Sequence, residues 1–214
     1  EQVLAAVGVR ALRPAAGACC GAIKAHLGDV DGGRAQARAN IDAWWPLVEA
    51  GEVEAIVMNA SGCGVTVKEY AQHLAHDPEY AERARVISEK TRDLSELLPD
   101  LMPRLKKLLG GKSGTGAGGG RDTVAYHPPC TLQHGMKLRG GVETHLRELG
   151  LPIEVAACES HLCCGSAGTY SVLQPELSTQ LRDRKLGHLA ELKPRAILSA
   201  NIGCIQHLQS GTEV

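Results

Sequence analysis

Cys-Cys-Gly occurs twice in the chain, at Cys19-Cys20-Gly21 and Cys163-Cys164-Gly165, and each copy is followed downstream by Gly-Cys, at Gly62-Cys63 and Gly203-Cys204. Adjacent cysteines make strained disulfide partners for each other, yet their sulfurs can bind different irons of one cluster. The duplication therefore points to two related metal-ligand frameworks and demands a fold that brings distant residues together.

Eight cysteines in 214 residues are too few for a disulfide-stapled mini-protein, and they stand in motifs. A reduced, intracellular setting follows. The formal charge is -1 with acids and bases interleaved, so no basic field suggests nucleic acid or anionic lipid. No run approaches the roughly twenty apolar residues of a membrane span, and Glu1-Gln2-Val3-Leu4 lacks the form of a signal peptide. Partners are expected to be proteins or cofactors.

The second copy reads as strand, helix, strand, helix, strand. Asp122 to His127 is the first strand and runs into Pro128-Pro129-Cys130. Val142, Leu146 and Leu149 lie at helical spacing, with Gly150 as a stop. Ile153 to Ala157 leads to Cys163-Cys164, Leu173 to Lys193 is helical, and Ala196 to Ala200 runs into Gly203-Cys204. This alternation predicts a parallel sheet.

The first copy repeats the order but starts late. Gln2 to Val7 matches the end of the helix, Gly8 matches Gly150, and Val9 to Leu12 corresponds to the strand at Ile153. A helix over Arg34 to Glu49 and a strand over Glu54 to Met58 then deliver Gly62-Cys63. The opening strand and a counterpart of Cys130 are absent, so a natural chain extending beyond Glu1 is expected.

Between the copies, Asp77-Pro78 starts a helix that continues from Tyr80 to Arg92. Ser95 to Leu109 is a further helical segment, interrupted by Pro99 and Pro103. Lys112 to Gly120 is glycine-rich and reads as a flexible linker, with no strand before it and no helix after it to make a phosphate loop. The expected organisation is α/β: two tandem pseudo-repeats, 1–111 and 121–214, joined by 112–120, each a small parallel sheet flanked by helices.

Every cysteine group follows a predicted strand, and the carboxyl ends of strands in a parallel sheet share one edge where ligands collect. Cys130, Cys163, Cys164 and Cys204 are thereby expected to converge as four thiolates, the complement of a [4Fe-4S] cluster. Cys19, Cys20 and Cys63 form an incomplete set. Four thiolates also suit zinc, although structural zinc sites usually draw on short Cys-x-x-Cys knuckles, whereas these ligands are dispersed. A metal-free or zinc-bearing interaction domain stays open as the alternative. Cys158 has no counterpart before Cys19 and is expected to be a small core hydrophobe. His127, His134 and Tyr170 stand beside ligand groups as tuning or structural hydrogen bonders. Trp44 and Trp45 are expected in the core or at an interface.

The order Cys130, Cys163-Cys164-Gly165, Cys204 resembles the cysteine-rich CCG domain found in heterodisulfide reductase and its relatives. Within that group, the strings around Cys19-Cys20, Cys63, Cys130, Cys163-Cys164 and Cys204 look like those of glycolate oxidase iron-sulfur subunits. The resemblance implies an electron-transfer subunit that works with FAD-bearing subunits oxidising glycolate to glyoxylate, and that hands electrons to a downstream acceptor. It implies a cytoplasmic location, with the inner membrane reached through partners. Family members also carry a ferredoxin-like part with two [4Fe-4S] clusters, which this chain lacks. Heterodisulfide reductase relatives end each motif with Cys-x-x-Cys, where this chain has Asn201 and Ala60, so an ordinary four-thiolate cluster is expected. Lactate-utilisation or heterodisulfide-type redox subunits are the related alternatives.

Overall fold

The computed structural model describes residues 1–14, 16–17, 19–110 and 123–214. In chain order the elements are α1 (Gln2–Ala6), α2 (Ala22–His26), α3 (Val30–Glu49), β1 (Ile56–Met58), α4 (Ser61–Lys68), α5 (Tyr70–His73), α6 (Ala81–Lys90) and β2 (Thr91–Asp93). After a 3-10 turn at Leu94–Leu97 come α7 (Leu98–Leu108), β3 (Val124–His127), a π turn at Thr131–Gly135 and α8 (Gly141–Glu148). β4 (Ile153–Glu154), α9 (Tyr170–Leu173), α10 (Pro175–Ala190), β5 (Ala196–Ser199) and α11 (Ile202–Gln209) complete the chain. The expected linker at 112–120 lies outside the described residues. Packing divides the chain into Leu12–Leu94 and a second unit of Glu1–Ala11 with Ser95–Val214.

In the second unit, β3 lies between β4 and β5, and both pairings are parallel. Its central place explains why all four residues of β3 are buried. Successive side chains on a strand face opposite sides. Accordingly Val124 and Tyr126 pack with Leu132, Val142 and Ile153, while Ala125 packs with Cys164, Leu189, Cys204 and Leu208. His127 shares the parity of Ala125, and this directs its ring to the cysteine side of the sheet. The chain leaves β3 for β4 on one side and then crosses to β5 on the other, so the loops after the three strands open at one carboxyl edge.

The Leu12–Leu94 unit has a two-stranded parallel sheet, β1 with β2, and a core of Ala37, Ile41, Val67, Tyr70, Leu74, Ala84 and Ile87. Asp29 caps α3 through its side chain on Gly32 N at 2.8 Å, which starts the helix earlier than the apolar pattern alone indicates. The helix expected from Asp77-Pro78 begins later, at Ala81, and Asp77 accepts from Glu79 N and Tyr80 N at 3.1 Å in the turn before it.

Two local expectations fail. The helix after Tyr80 ends at Lys90, and Thr91–Asp93 becomes a strand. Thr91 turns its hydroxyl back onto Ile87 O at 2.7 Å, and its β-branched side chain suits the buried ladder position beside Ile56. Val9 to Leu12 forms no strand, because among the described residues nothing pairs with it as β3 pairs with β4. Val9 instead packs with Val7, Leu101 and Leu105. Pro99 sits in the first turn of α7, where its missing N–H costs nothing, and the helix also contains Pro103.

Candidate metal centre

In the unit containing Ser95–Val214, the segments that follow β3, β4 and β5 bring Cys130, Cys163, Cys164 and Cys204 together, Cys204 from the first turn of α11. Cys130 and Cys163, Cys163 and Cys164, and Cys164 and Cys204 lie close enough to perturb one another's ionisation. Cys164 and Cys204 are buried, and Cys130 and Cys163 are half-buried. His127 closes the group from beneath: one donor atom each of His127, Cys164 and Cys204 lies within 4.8 Å of the other two. The His127 ring is 1% exposed, and neither ring nitrogen has a hydrogen-bond partner of normal geometry. A buried polar ring left in that state ordinarily costs free energy, which marks the place as one built for a ligand.

The clustered sulfurs shift one another's ionisation. Cys204 is pulled down to about 5 by its contact with Cys164, helped by the His127 ring and the Asn201 amide, against the opposing effect of burial. Asn201 Nδ2 donates to Cys204 Sγ at 3.6 Å. Cys163 is drawn far down by Cys130, then Cys164, and by the Gly165 N–H, which lies 3.3 Å from its sulfur. Cys130 and Cys164 are pushed up, chiefly by contact with Cys163. Metal binding would require these thiols to release their protons.

The loop before Cys163 is clamped to α10. Glu159 has a positive φ of 51° and its carboxylate meets Arg184 and, at 3.0 Å, His188 Nε2, while its carbonyl accepts from Lys185 Nζ. Gly165 packs on the same helix: Ser178 Oγ donates to Gly165 O at 2.9 Å, and His207 Nε2 lies 3.0 Å from that hydroxyl. A Cβ on Gly165 would stand 2.4 Å from Ser178 O, and φ there is +92°. The glycine after the cysteine pair is therefore required twice over, by backbone conformation and by the approach of α10.

The Leu12–Leu94 unit builds a smaller version. Cys20 is buried, Cys63 is half-buried and Cys19 is exposed. Cys63 is lowered to about 7 by its hydrogen bond with Cys20, and the same contact raises Cys20. Tyr70 Oη donates to Cys20 O at 2.9 Å and accepts from Asn40 Nδ2 at 3.0 Å, and Asn40 also reaches Cys19 O at 3.1 Å. Gly21 repeats the geometry of Gly165, with φ +93° and a would-be Cβ 2.7 Å from Gly33 O in α3.

The structure thus brings together the expected cysteines within each repeat, and adds His127 from among the three neighbouring residues named from sequence. His134 is exposed and engages Arg139 at 2.8 Å, and Tyr170 is only partly buried. Cys158 corrects the expectation of a core position: it is exposed in the loop after β4, beside Glu159, Arg184 and His188 in an open depression. Its strand is only two residues long, so Cys158 lies beyond the sheet that would have buried it. Trp44 and Trp45 pack against the first unit's core, with Arg83 5.5 Å above the Trp45 ring. Sequence reading missed Asn40, Tyr70, Ser178 and Lys185. Ser178, Lys185 and Leu189 fall on one face of α10, and their burial shows only once the helix is seen packed.

Two small parallel sheets with cysteine groups beside them define a cysteine-rich α/β domain, and the chain belongs to the CCG cysteine-rich domain family, whose pattern matches residues 1–68 and 124–209. It is similar to the glycolate oxidase iron-sulfur subunit of Escherichia coli (strain K12), 48% identical over 209 residues, covering 98% of this chain and 48% of that protein. The probable glycolate oxidase iron-sulfur subunit of Bacillus subtilis (strain 168) is 31% identical over 92% of this chain and 41% of its own length. Lactate utilization protein A of Geobacillus thermodenitrificans (strain NG80-2) is 28% identical over 91% of this chain and 75% of its own. The chain spans about half the length of the glycolate oxidase subunits it matches. Among the described residues, no helix is long and apolar enough to cross a membrane.

Proposed function

We propose that the chain is the CCG portion of an iron-sulfur electron-transfer subunit, serving FAD-bearing partner subunits that oxidise glycolate to glyoxylate and passing electrons to a downstream acceptor. The observation that carries this reading is the buried group of His127, Cys164 and Cys204, whose donor atoms lie within 4.8 Å of one another, with Cys130 and Cys163 beside it. Four largely buried soft donors fit a [4Fe-4S] cluster, whose chemistry at this place is the storage and release of single electrons. In this reading residues 1–111 and 121–214 are the two repeats, and Cys19, Cys20 and Cys63 are three donors of a second, incomplete site. The subunit works in the cytoplasm and meets the inner membrane through its partners.

The protein's own residues have definite tasks. Cys130, Cys163, Cys164 and Cys204 would supply the thiolates, releasing their protons on binding. Gly165 N–H and Asn201 Nδ2 donate to sulfur, which disperses charge and favours the reduced state. Leu189 and Leu208 pack beside Cys164 and Cys204 and keep water from the inner sulfurs. Glycolate recognition rests on the relatives named above.

Anaerobic reconstitution followed by iron and acid-labile sulfide counts tests the assignment. Iron and sulfide in equal amounts, abolished by Cys204→Ala, are expected. Zinc without sulfide, or a metal-free protein prepared without oxygen, would overturn it in favour of an interaction domain.

A further inference from the structure

The two repeats put different residues at one structural position. Gly21 abuts Gly33 O in α3, and Gly165 abuts Ser178 O in α10, so Gly33 and Ser178 mark the same contact between a cysteine loop and its helix. Seven residues beyond each mark, about two turns along and therefore on the same helix face, stand Asn40 and Lys185. Both are buried, at 0% and 1% exposure. Each also donates to a carbonyl of its own cysteine loop, Asn40 to Cys19 O at 3.1 Å and Lys185 to Glu159 O. A neutral amide thus supports the three-cysteine set and a cation supports the four-cysteine set.

The surroundings of Lys185 show what its charge serves. The Glu159 carboxylate is engaged by Arg184 and His188, and Lys185 takes only the Glu159 carbonyl. A buried ammonium is costly unless compensated. Burial, the largest effect, lowers the Lys185 pKa from its ordinary value, and Cys164 first, then Glu159, Cys163 and Cys204, oppose it and favour the charged form. Three of these are the proposed ligands.

We propose that Lys185 is a positioning residue of the second centre, whose buried charge offsets that of the thiolate-ligated cluster and raises its reduction potential. This rests on the iron-sulfur reading given above. Reduction adds one negative charge, which a fixed cation nearby stabilises more than it stabilises the oxidised form.

The test is an EPR-monitored titration with dithionite of the anaerobically reconstituted chain and its Lys185→Gln, Lys185→Met and Lys185→Arg variants. Gln keeps a donor for the Glu159 carbonyl but no charge, Met keeps neither, and Arg keeps both. Gln and Met are expected to lower the equilibrium constant for reduction at least tenfold, equivalent to a fall of about 59 mV for a one-electron couple. Arg should return it to within about threefold of the parent, or half that shift on the same scale. An intact cluster of unchanged potential in the Gln variant overturns the proposal. So does a Gln variant that folds but holds no iron, because Lys185 would then be a structural support of the ligand loop. Absence of any cluster in the parent protein is a different result and refutes the iron-sulfur reading itself.

Discussion

Replacing the glycine after a cysteine pair should damage the fold by an amount that separates backbone strain from collision. Gly21 and Gly28 have nearly the same φ, +93° and +91°, in the same packing unit. An added Cβ at Gly28 meets nothing within 4 Å, whereas at Gly21 it stands 2.7 Å from Gly33 O and 3.3 Å from Gly33 C and Cα. Gly28→Ala therefore reports the conformational cost alone, about 1–2 kcal/mol for an L residue in the left-handed region. Gly21→Ala adds a clash with helical backbone that cannot rotate aside, and overpacking of this kind costs about 1–3 kcal/mol more. The expected total is about 2–5 kcal/mol.

Urea denaturation of the two variants beside the parent measures the difference directly, and thermal melting gives a second reading. One kcal/mol moves the midpoint by roughly 2–4 °C in a chain of this size, so Gly21→Ala should melt roughly 2–12 °C below Gly28→Ala. Gly165→Ala should be at least as severe, since its Cβ would stand 2.4 Å from Ser178 O. If Gly21→Ala and Gly28→Ala agree to within about 0.5 kcal/mol, close helix approach is not what requires glycine after the cysteines.

Two further outcomes follow from buried polar contacts. Tyr70→Phe removes the hydroxyl between Cys20 O and Asn40 Nδ2. It should cost about 1–3 kcal/mol in urea denaturation, because a buried carbonyl loses its donor, and a cost below about 0.5 kcal/mol would contradict this. Asp77 is held below the usual carboxylate range by its hydrogen bond from Arg38 at 2.8 Å and by the Tyr80 and Glu79 N–H groups. A lowered folded-state pKa gives stability that is present above the ordinary Asp value of about 3.9 and lost as pH falls through the folded value. The stability gap between the parent and Arg38→Gln should hold steady from pH 7 to about pH 5 and close below about pH 4. A gap that persists unchanged at pH 3 would place the contribution of Arg38 in packing rather than in charge.

The repeated cysteine motifs and the alternation of β-rich and helical segments were enough to read the α/β class and the parallel sheets, because both depend on local pattern. β3, α8 and β5 fall within the spans expected for them. The strand at Thr91–Asp93 was hidden because three residues carry no periodicity, and because the charged helix before it runs into Arg92 without a break. Val9 to Leu12 shows the reverse failure: the composition of a strand is there, but pairing is a tertiary event. At the site, sulfur positions follow from strand ends, and His127 follows from strand parity with Ala125. Lys185 was not legible as part of the site, since a lysine in α10 reads as solvent-facing until the helix is seen packed against the loop of Glu159.

The two repeats share more than their cysteine motif. Both keep the features that shape the cysteine loop, namely the positive φ of the glycine and the helix carbonyl pressed against it. They differ in what lies beneath, where Asn40 ties Cys19 O and Tyr70 into a neutral network and Lys185 brings a charge. Geometry around a cluster fixes which ligands can bind, whereas the charge around it shifts its potential. The common geometry therefore accounts for what the repeats share as metal frameworks. On the proposal made for Lys185, the exchange of amide for ammonium separates the two frameworks in charge, in addition to the difference of three cysteines against four.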